Sequence, residues 1–198
     1  MVRTYVFVAR IPETCDVCEV YPPERSAEIF ACSSERVRRE KFFVWRLLER
    51  AVFELVGAPL EKLSPRKLES GRWVCDGCFF SLSHSRGVAA VAVSERDVGV
   101  DVEEICRRAD GIEHRILTDA ERAELVRLDA AMREEYIIEK WTQKEALFKR
   151  SSESCFKPSL TETDGKDVRT WGVEYDGRRY ALSVASEDIE NLRINILE

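Results

Sequence analysis

The sequence predicts an α+β fold made of two similar halves. Two observations support this prediction. Segments with apolar residues at three-to-four spacing are typical of amphipathic helices, and short apolar runs between turn residues are typical of strands. A strand, helices and further strands follow in this order twice. We therefore place an N-terminal half at residues 1–97 and a C-terminal half at residues 98–198, packed as one compact unit, although no simple repeat relates them.

The N-terminal half begins with a strand and two helices. Met1–Ala9 contains a short apolar stretch that predicts the first strand. Pro22-Pro23 marks the start of a helix. A longer helix is predicted from Ser33 or Ser34 to Val56, because its apolar residues form one continuous stripe. Gly57 then ends this helix.

Strands and turns follow the second helix. The strands are predicted at 72–75, 78–82, 88–93 and 98–102. Asp76-Gly77 is a strong two-residue hairpin signal between the first two strands. Glu95–Asp97 predicts a second hairpin between the last two. The polar segment Ser83–Gly87 predicts a loop.

Two helices and three strands are predicted in the C-terminal half. Thr118 and Glu121 form a capping box that opens a helix to about Asp129. Another helix runs from about Ala131 to Arg150. Strands are predicted at 170–175, 178–185 and 192–197, and Asp176-Gly177 joins the first two.

Composition limits the classes of function. Hydrophobic residues make up 44% and charged residues 34% of the chain, which is typical of a globular protein. No apolar run approaches the roughly 20 residues that span a bilayer, which argues against a membrane protein. The formal net charge of −6 argues against broad nucleic-acid binding, which needs an extended basic surface. The N-terminus lacks signal-peptide features, so we expect a cytoplasmic protein.

The seven cysteines include two CxxC pairs, Cys15/Cys18 and Cys75/Cys78. Together the pairs could form a four-thiolate zinc site, but their separation exceeds the usual spacing. Alternatively, Cys75 and Cys78 face each other only because they flank a turn. Disulfides are not expected in a chain without an export signal.

Asp101 and Glu103 are two residues apart in a predicted strand and therefore point to one face. Neighbouring carboxylates repel each other. The pair suits Mg²⁺, which binds one or two carboxylates together with water and phosphate oxygens. The alternative is a strand end that exposes its acids to water.

Further charged residues lie on predicted helices. Glu145 and Lys149 share one helix face with Trp141. They could form an ordinary ion pair. Alternatively, Glu145 is a metal ligand or general base, and Lys149 neutralises the charge of a phosphate. A basic run near the start of the long helix is either a solvated face or an anion-binding patch. This run contains Arg36, Arg38, Arg39, Lys41, Arg46 and Arg50.

His84 lies among Ser81, Ser83 and Ser85 and beside Arg86. This mixture of hydroxyls, imidazole and guanidinium favours a phosphate-binding loop. A serine–histidine nucleophilic site is the first alternative, although the Gly-x-Ser-x-Gly pattern of hydrolases is missing and no acid that would orient the imidazole can be named. An ordinary loop histidine is the second.

Three segments, Phe80–Gly87, Gly99–Glu103 and Trp141–Lys149, closely resemble three motifs of the 4'-phosphopantetheinyl transferase superfamily, in the same order. The length and the two-half layout are similar to its surfactin-synthetase type, a monomer with a pseudo-twofold axis between its halves. The resemblance implies Mg²⁺-dependent transfer of phosphopantetheine from coenzyme A to a serine of an acyl or peptidyl carrier protein, with release of 3',5'-ADP.

The resemblance also implies roles for individual residues. Asp101, Glu103 and Glu145 match the magnesium ligands, and Glu145 also matches the proposed base for the carrier serine. Lys149 matches the lysine near the reacting phosphate, and Lys144 belongs to the same motif. The other coenzyme-binding residues implied are Ser83 and His84 at the 3'-phosphate, Arg46 at the nucleotide, and Arg39 or Lys41 in place of basic residues that the family carries near the end of the first helix.

Carrier proteins are acidic, so the surface that binds them should be locally basic. Arg107, Arg108 and Arg115 are the predicted carrier-docking residues, with solvated loop charges as the alternative. Two other functions stay open. One is a non-catalytic carrier-binding or zinc-binding module of the same fold, and the other is a serine–histidine hydrolase that acts on thioesters.

Overall fold

The computed structural model describes residues 2–106, 111–151, 153 and 155–197. Within these residues the strands are β1 (Thr4–Arg10), β2 (Arg66–Lys67), β3 (Trp73–Val74), β4 (Phe79–Ser85), β5 (Val88–Ser94), β6 (Val98–Glu104), β7 (Val168–Tyr175), β8 (Arg178–Ser186) and β9 (Arg193–Leu197). The helices are α1 (Pro23–Phe30), α2 (Glu35–Val56), α3 (Glu113–Ile116), α4 (Asp119–Leu125) and α5 (Ala130–Arg150). The mixed α+β class is as predicted.

The long helix α2 begins and ends as its sequence indicates. The Ser34 hydroxyl accepts a hydrogen bond from the Val37 amide and caps the first turn. Gly57 ends the helix in the left-handed conformation, with φ of 76°. The apolar stripe, which includes Trp45 and Leu48, packs on the sheet that contains β1 and β5.

The C-terminal half has its own sheet and covering helix. Thr118 and Glu121 form the predicted capping box at the start of α4. Asp176 and Gly177 join β7 to β8 with φ of 52° and 71°, as expected for a tight hairpin turn. Helix α5 packs across β6 and β8, and the Thr142 hydroxyl lies 2.7 Å from the Ser183 hydroxyl.

The two larger sheets share part of their strand order. In the first sheet the order is β4-β5-β1-β9, and in the second it is β6-β8-β7. In the first sheet, β1 pairs antiparallel with β5, and β5 pairs antiparallel with β4, the other strand of its hairpin. In the second sheet, β6 pairs antiparallel with β8, and β8 pairs antiparallel with β7, the other strand of its hairpin. The final strand β9 leaves the C-terminal half and pairs parallel with β1. The division into two similar halves, the pseudo-twofold axis between them and the boundary at residue 97 stay predictions.

The two sheets pack face to face between α2 and α5. Residues of β1 alternate between the helix side, such as Phe7, and the inner side, such as Val6 and Val8. The inner side chains contact Val100 of β6 and Leu182 of β8. None of the helices in the described ranges has the length and hydropathy that a membrane span requires.

Two predicted strand pairings and one predicted loop were wrong. Strand β3 pairs with β2, so Asp76-Gly77 does not form a hairpin with β4. Strands β5 and β6 belong to different sheets, so Glu95–Asp97 is a crossing rather than a hairpin. The expected loop from Ser83 to Ser85 is part of β4, and the true hairpin turn is Arg86-Gly87, with φ of 42° and 91°. Strand partners depend on contacts distant in sequence, which local turn signals do not determine.

Candidate active site

A row of serine side chains joins the edge strands of the two sheets. Ser81 and Ser83 project from one face of β4 toward β6. The Ser81 hydroxyl accepts a hydrogen bond from the Val100 amide at 3.0 Å, and the Ser83 hydroxyl accepts one from the Val102 amide at 3.2 Å. These bonds satisfy amides of an edge strand and place β4 alongside β6, where the acidic residues lie.

Asp101 is the best-connected acidic residue of this site. Its side chain is buried, and its Oδ1 atom accepts hydrogen bonds from the Ser83 hydroxyl and the Lys149 ammonium, each at 2.7 Å. Its Oδ2 atom is buried without a hydrogen-bond partner among the described residues. Glu103, two residues further along β6, accepts a hydrogen bond from the Ser85 hydroxyl at 2.5 Å. Both carboxylates therefore face β4 and α5, as the strand periodicity predicted.

Helix α5 supplies Glu145 and Lys149. The ammonium of Lys149 pairs with Asp101, and within the described ranges it forms no ion pair with Glu145. The interpretation of Glu145 and Lys149 as an ordinary ion pair is therefore wrong. Burial raises the pKa of Glu145, and the Asp101 charge raises it further, while Lys149 opposes both effects. The pKa of Glu145 thus depends on the charges of both residues.

The ionised form of Glu103 is disfavoured in this cluster. Burial raises the pKa of Glu103 above its ordinary value, and the charges of Asp101 and Glu145 add to this effect. The Ser85 hydrogen bond and the Lys149 charge act in the opposite direction. A cation placed among these side chains would relieve the repulsion.

The site offers the donor chemistry of a magnesium ion without a preformed cage. Within the described ranges, no three His, Cys, Asp or Glu side chains are already positioned around one point, so Asp101, Glu103 and Glu145 are near neighbours only. The donors nevertheless fit, because hard carboxylate oxygens suit Mg²⁺ and the buried Asp101 Oδ2 lacks a partner among those same residues. Mg²⁺ also completes its shell with substrate oxygens and water, so a preformed cage is not required.

Replacing Glu103 with glutamine should stabilise the metal-free protein at neutral pH. A carboxyl whose pKa is raised on folding contributes stability that is fully present below its unfolded value, 4.5, and is lost as pH rises through the folded value. A glutamine side chain at this position stays uncharged, so the stability of the variant does not fall in this way as pH rises. Its amide oxygen can still accept the Ser85 hydrogen bond. Thermal melts should show a gain on the order of 1 kcal/mol at pH 7.5 and little gain at pH 4.

The exposed Glu174 of β7 provides the matched control for that melt. Glu174→Gln removes the same charge at the surface and should leave the pH profile unchanged. A lower melting temperature for Glu103→Gln at pH 7.5, under metal-free conditions, would contradict the repulsion described above.

His84 points away from the serine row, toward α2. Its Nδ1 atom lies 3.5 Å from a carboxylate oxygen of Glu40. Burial is the main cause that lowers the pKa of His84, Glu40 opposes it, and the charges of Lys149, Arg25 and Lys41 lower it further. Three cations therefore lie near one half-buried imidazole, an arrangement suited to an anionic group. Local patterns did not identify Glu40 or Arg25, because only the fold brings α1 and α2 to β4.

A serine–histidine nucleophile is not formed in this region. The hydroxyls of Ser83 and Ser85 donate to carboxylates, and His84 lies on the opposite face of the strand. Among the described residues, no hydrogen bond joins a serine to His84. The structure therefore does not support the hydrolase alternative.

The structure also does not support the predicted contact between Lys144 and coenzyme A. The Lys144 side chain is fully buried, and its ammonium donates to the Ile116 carbonyl, the Pro158 carbonyl and the Glu121 carboxylate at 2.8, 3.0 and 2.5 Å. An ammonium has three hydrogens, so none is left for a ligand. Lys144 instead holds α5 to the start of α4.

The basic residues of α2 separate into different surroundings. Lys41 is close enough to His84 to lower its pKa. Arg39 lines a cavity of about 670 Å³ together with Arg36 and Arg86. Arg46 is exposed, and its guanidinium pairs with Glu49 of the same helix. The structure therefore brings Lys41 to the candidate site and does not place Arg46 beside His84.

The predicted carrier-docking residues are only partly within the described ranges. Arg115 is exposed in the short helix α3. Arg107 and Arg108 lie outside the described residues. The docking role of all three stays a prediction.

The two CxxC pairs do not assemble into a zinc site in the part of the chain that the structure describes. Cys75 and Cys78 are in contact, with their sulfur atoms 3.5 Å apart. No sulfur–sulfur contact joins Cys15 to Cys18 in that same part.

A cavity of about 470 Å³ is lined by Lys149, whose ammonium pairs with Asp101. Its walls are mostly apolar, with Trp73, Phe80 and Phe148 among the lining residues. Arg72 adds a positive charge to this cavity. The candidate site thus combines carboxylates, cations and an open apolar recess.

Residues 97–190 match the family model of the 4'-phosphopantetheinyl transferase superfamily. The matched segment is slightly under half of the chain and contains Asp101, Glu103, Glu145 and Lys149. No curated protein matches the chain. The match supports a domain of this transferase superfamily, as the three motifs predicted, and the surfactin-synthetase type stays a prediction.

Proposed function

We propose that this protein transfers the 4'-phosphopantetheine group of coenzyme A to a serine of an apo acyl or peptidyl carrier protein and releases 3',5'-ADP. One observation carries the proposal. The Asp101–Lys149 pair lies close to two further carboxylates, Glu103 and Glu145, inside the segment that matches the superfamily model, and Lys149 also lines an open cavity. We also propose a cytoplasmic monomer.

Asp101, Glu103 and Glu145 would hold Mg²⁺ in this proposal. The support is the raised pKa of Glu103 and of Glu145, to which burial and the Asp101 charge contribute, and the Asp101 Oδ2 atom, which has no partner among the described residues. Bound Mg²⁺ would withdraw negative charge from the coenzyme A pyrophosphate.

The chain's own residues would bind the phosphates and move the proton. Lys149 neutralises negative charge on the reacting and leaving phosphate oxygens. Glu145, whose pKa is raised by burial, is a stronger base than an exposed glutamate and accepts the proton of the carrier serine, directly or through a water. His84 and Lys41 lie on the α2 side, where they bind the 3'-phosphate.

Intact-protein mass spectrometry tests the proposal. The full chain is incubated with coenzyme A, MgCl₂ and a panel of purified apo carrier proteins from fatty-acid, polyketide and peptide synthesis. We expect one carrier class to gain the mass of one phosphopantetheine, and excess EDTA to prevent the gain. A carrier that binds the protein but never gains mass would overturn the proposal in favour of a non-catalytic carrier-binding module.

A further inference from the structure

The Cys75–Cys78 pair lies outside the acidic site and has no role in the proposed transfer. Its sulfur atoms are 3.5 Å apart, and the Cys75 thiol is also 3.6 Å from the Cys78 carbonyl oxygen. The pair occupies a tight bend in which Gly77 has φ of 83°. Residues at i and i+3 of such a bend can form a disulfide with only small movement of the backbone.

The two thiols differ in access and in acidity. Cys75 is partly exposed, whereas Cys78 is buried. A hydrogen bond from Cys78 lowers the pKa of Cys75, although burial opposes this effect. Hydrogen bonding with Cys75 is the main cause that raises the pKa of Cys78, and burial raises it further. Cys75 is therefore the thiol suited to react first, and Cys78 the thiol suited to react second.

The bend lies beside Trp73, whose surroundings can be followed by fluorescence. A cavity of about 310 Å³ is lined by both cysteines together with Arg72, Trp73 and Phe80. These three residues also line the larger cavity beside Lys149. The Trp73 indole packs edge-on against Trp45, with ring centroids 5.1 Å apart. A covalent change at the bend should therefore alter the surroundings of Trp73.

We propose that Cys75 and Cys78 form a thiol–disulfide exchange site, which small-molecule disulfides oxidise to an intramolecular disulfide.

The exchange proceeds in two balanced steps. The Cys75 thiolate attacks one sulfur of the disulfide, forms a mixed disulfide and releases one thiolate. Cys78 then loses its proton, and its thiolate attacks the Cys75 sulfur and displaces the second thiolate. Overall, the two cysteines lose two protons and two electrons, and the small-molecule disulfide is reduced to two thiols.

Peptide mapping of the full chain after incubation with oxidised glutathione tests the proposal. Free thiols are alkylated at timed intervals, and digests are analysed by mass spectrometry. We expect a linked Cys75–Cys78 peptide that dithiothreitol reverses. The Cys75 thiol should disappear roughly tenfold faster than that of Cys15, because burial raises the pKa of Cys15. The second CxxC pair thus serves as an internal control.

Two serine variants define the order of reaction. Cys78→Ser should accumulate glutathione on Cys75, because the second step is blocked. Cys75→Ser should leave Cys78 unmodified over the same time, because its sulfur is buried. Cys78→Ala repeats the Cys78→Ser experiment without placing a hydroxyl in the core. Circular dichroism confirms that each variant is folded.

Tryptophan emission gives a readout independent of any transferase activity. Oxidation should shift the emission of the wild type, and Trp73→Phe should remove most of this shift, while the other three tryptophans serve as background. Two results would overturn the proposal. One is a wild-type chain that keeps a stable glutathione adduct on Cys75 without a linked peptide, and the other is faster modification of Cys78 than of Cys75.

Discussion

Replacing Asp101 with asparagine should lower phosphopantetheinyl transfer by on the order of 100-fold or more, while the protein stays folded. Asparagine has the same shape and can still accept the Ser83 hydrogen bond, so the contact between β4 and β6 is retained. The variant lacks the negative charge that pairs with Lys149 and that would hold the metal. The loss should appear in the rate of carrier modification at saturating coenzyme A.

An exposed aspartate supplies the control for this variant. Asp164 is almost fully exposed and lies 3.4 Å from Lys140, away from the acidic cluster. Asp164→Asn removes one carboxylate charge and should transfer phosphopantetheine at the wild-type rate. Wild-type activity in Asp101→Asn, measured with added Mg²⁺, would show that Asp101 is not part of the site.

Local sequence patterns predicted the elements of this fold better than their partners. The caps at Ser34 and Thr118 and the turn at Asp176-Gly177 depend on neighbouring residues, and the structure contains all three. Strand β4 was predicted too short because Ser83–Ser85 is polar. Its alternating serines are satisfied by β6, a partner that follows only from the tertiary fold.

The site was predictable in part for the same reason. Asp101 and Glu103 share a face because strand geometry requires it. Lys144 and Glu145 are adjacent in one motif, but an α-helix turns by about 100° per residue, so the two side chains point in different directions. Lys144 consequently lies in the interior, where Glu121 neutralises its charge. A motif therefore identifies a segment, whereas the helix phase decides which of its residues reach a ligand.

Replacing Gly99 with alanine should destabilise the protein by about 3 kcal/mol or more and also reduce transfer activity. A Cβ atom at Gly99 would lie 1.9 Å from the Ala146 carbonyl oxygen and 2.8 Å from the Arg150 amide nitrogen. Both are backbone atoms of α5, so no side-chain rotation can remove the clash. Helix α5 must move away from β6. Lys149 would then move away from Asp101, because each lies close to the site of the clash.

Gly172→Ala on β7 is the matched control, since among the described residues no atom other than those of its two chain neighbours lies within 4 Å of the Cβ position there. It should leave stability unchanged or raise it by roughly 0.5 kcal/mol, because alanine restricts the unfolded chain. Urea unfolding of both variants measures the difference directly. Equal stability of Gly99→Ala and Gly172→Ala would mean that α5 does not rest on the β6 backbone. If Gly99→Ala folds at low temperature, its remaining activity measures how strongly transfer depends on the spacing between the strand that carries the acids and the helix that carries Lys149.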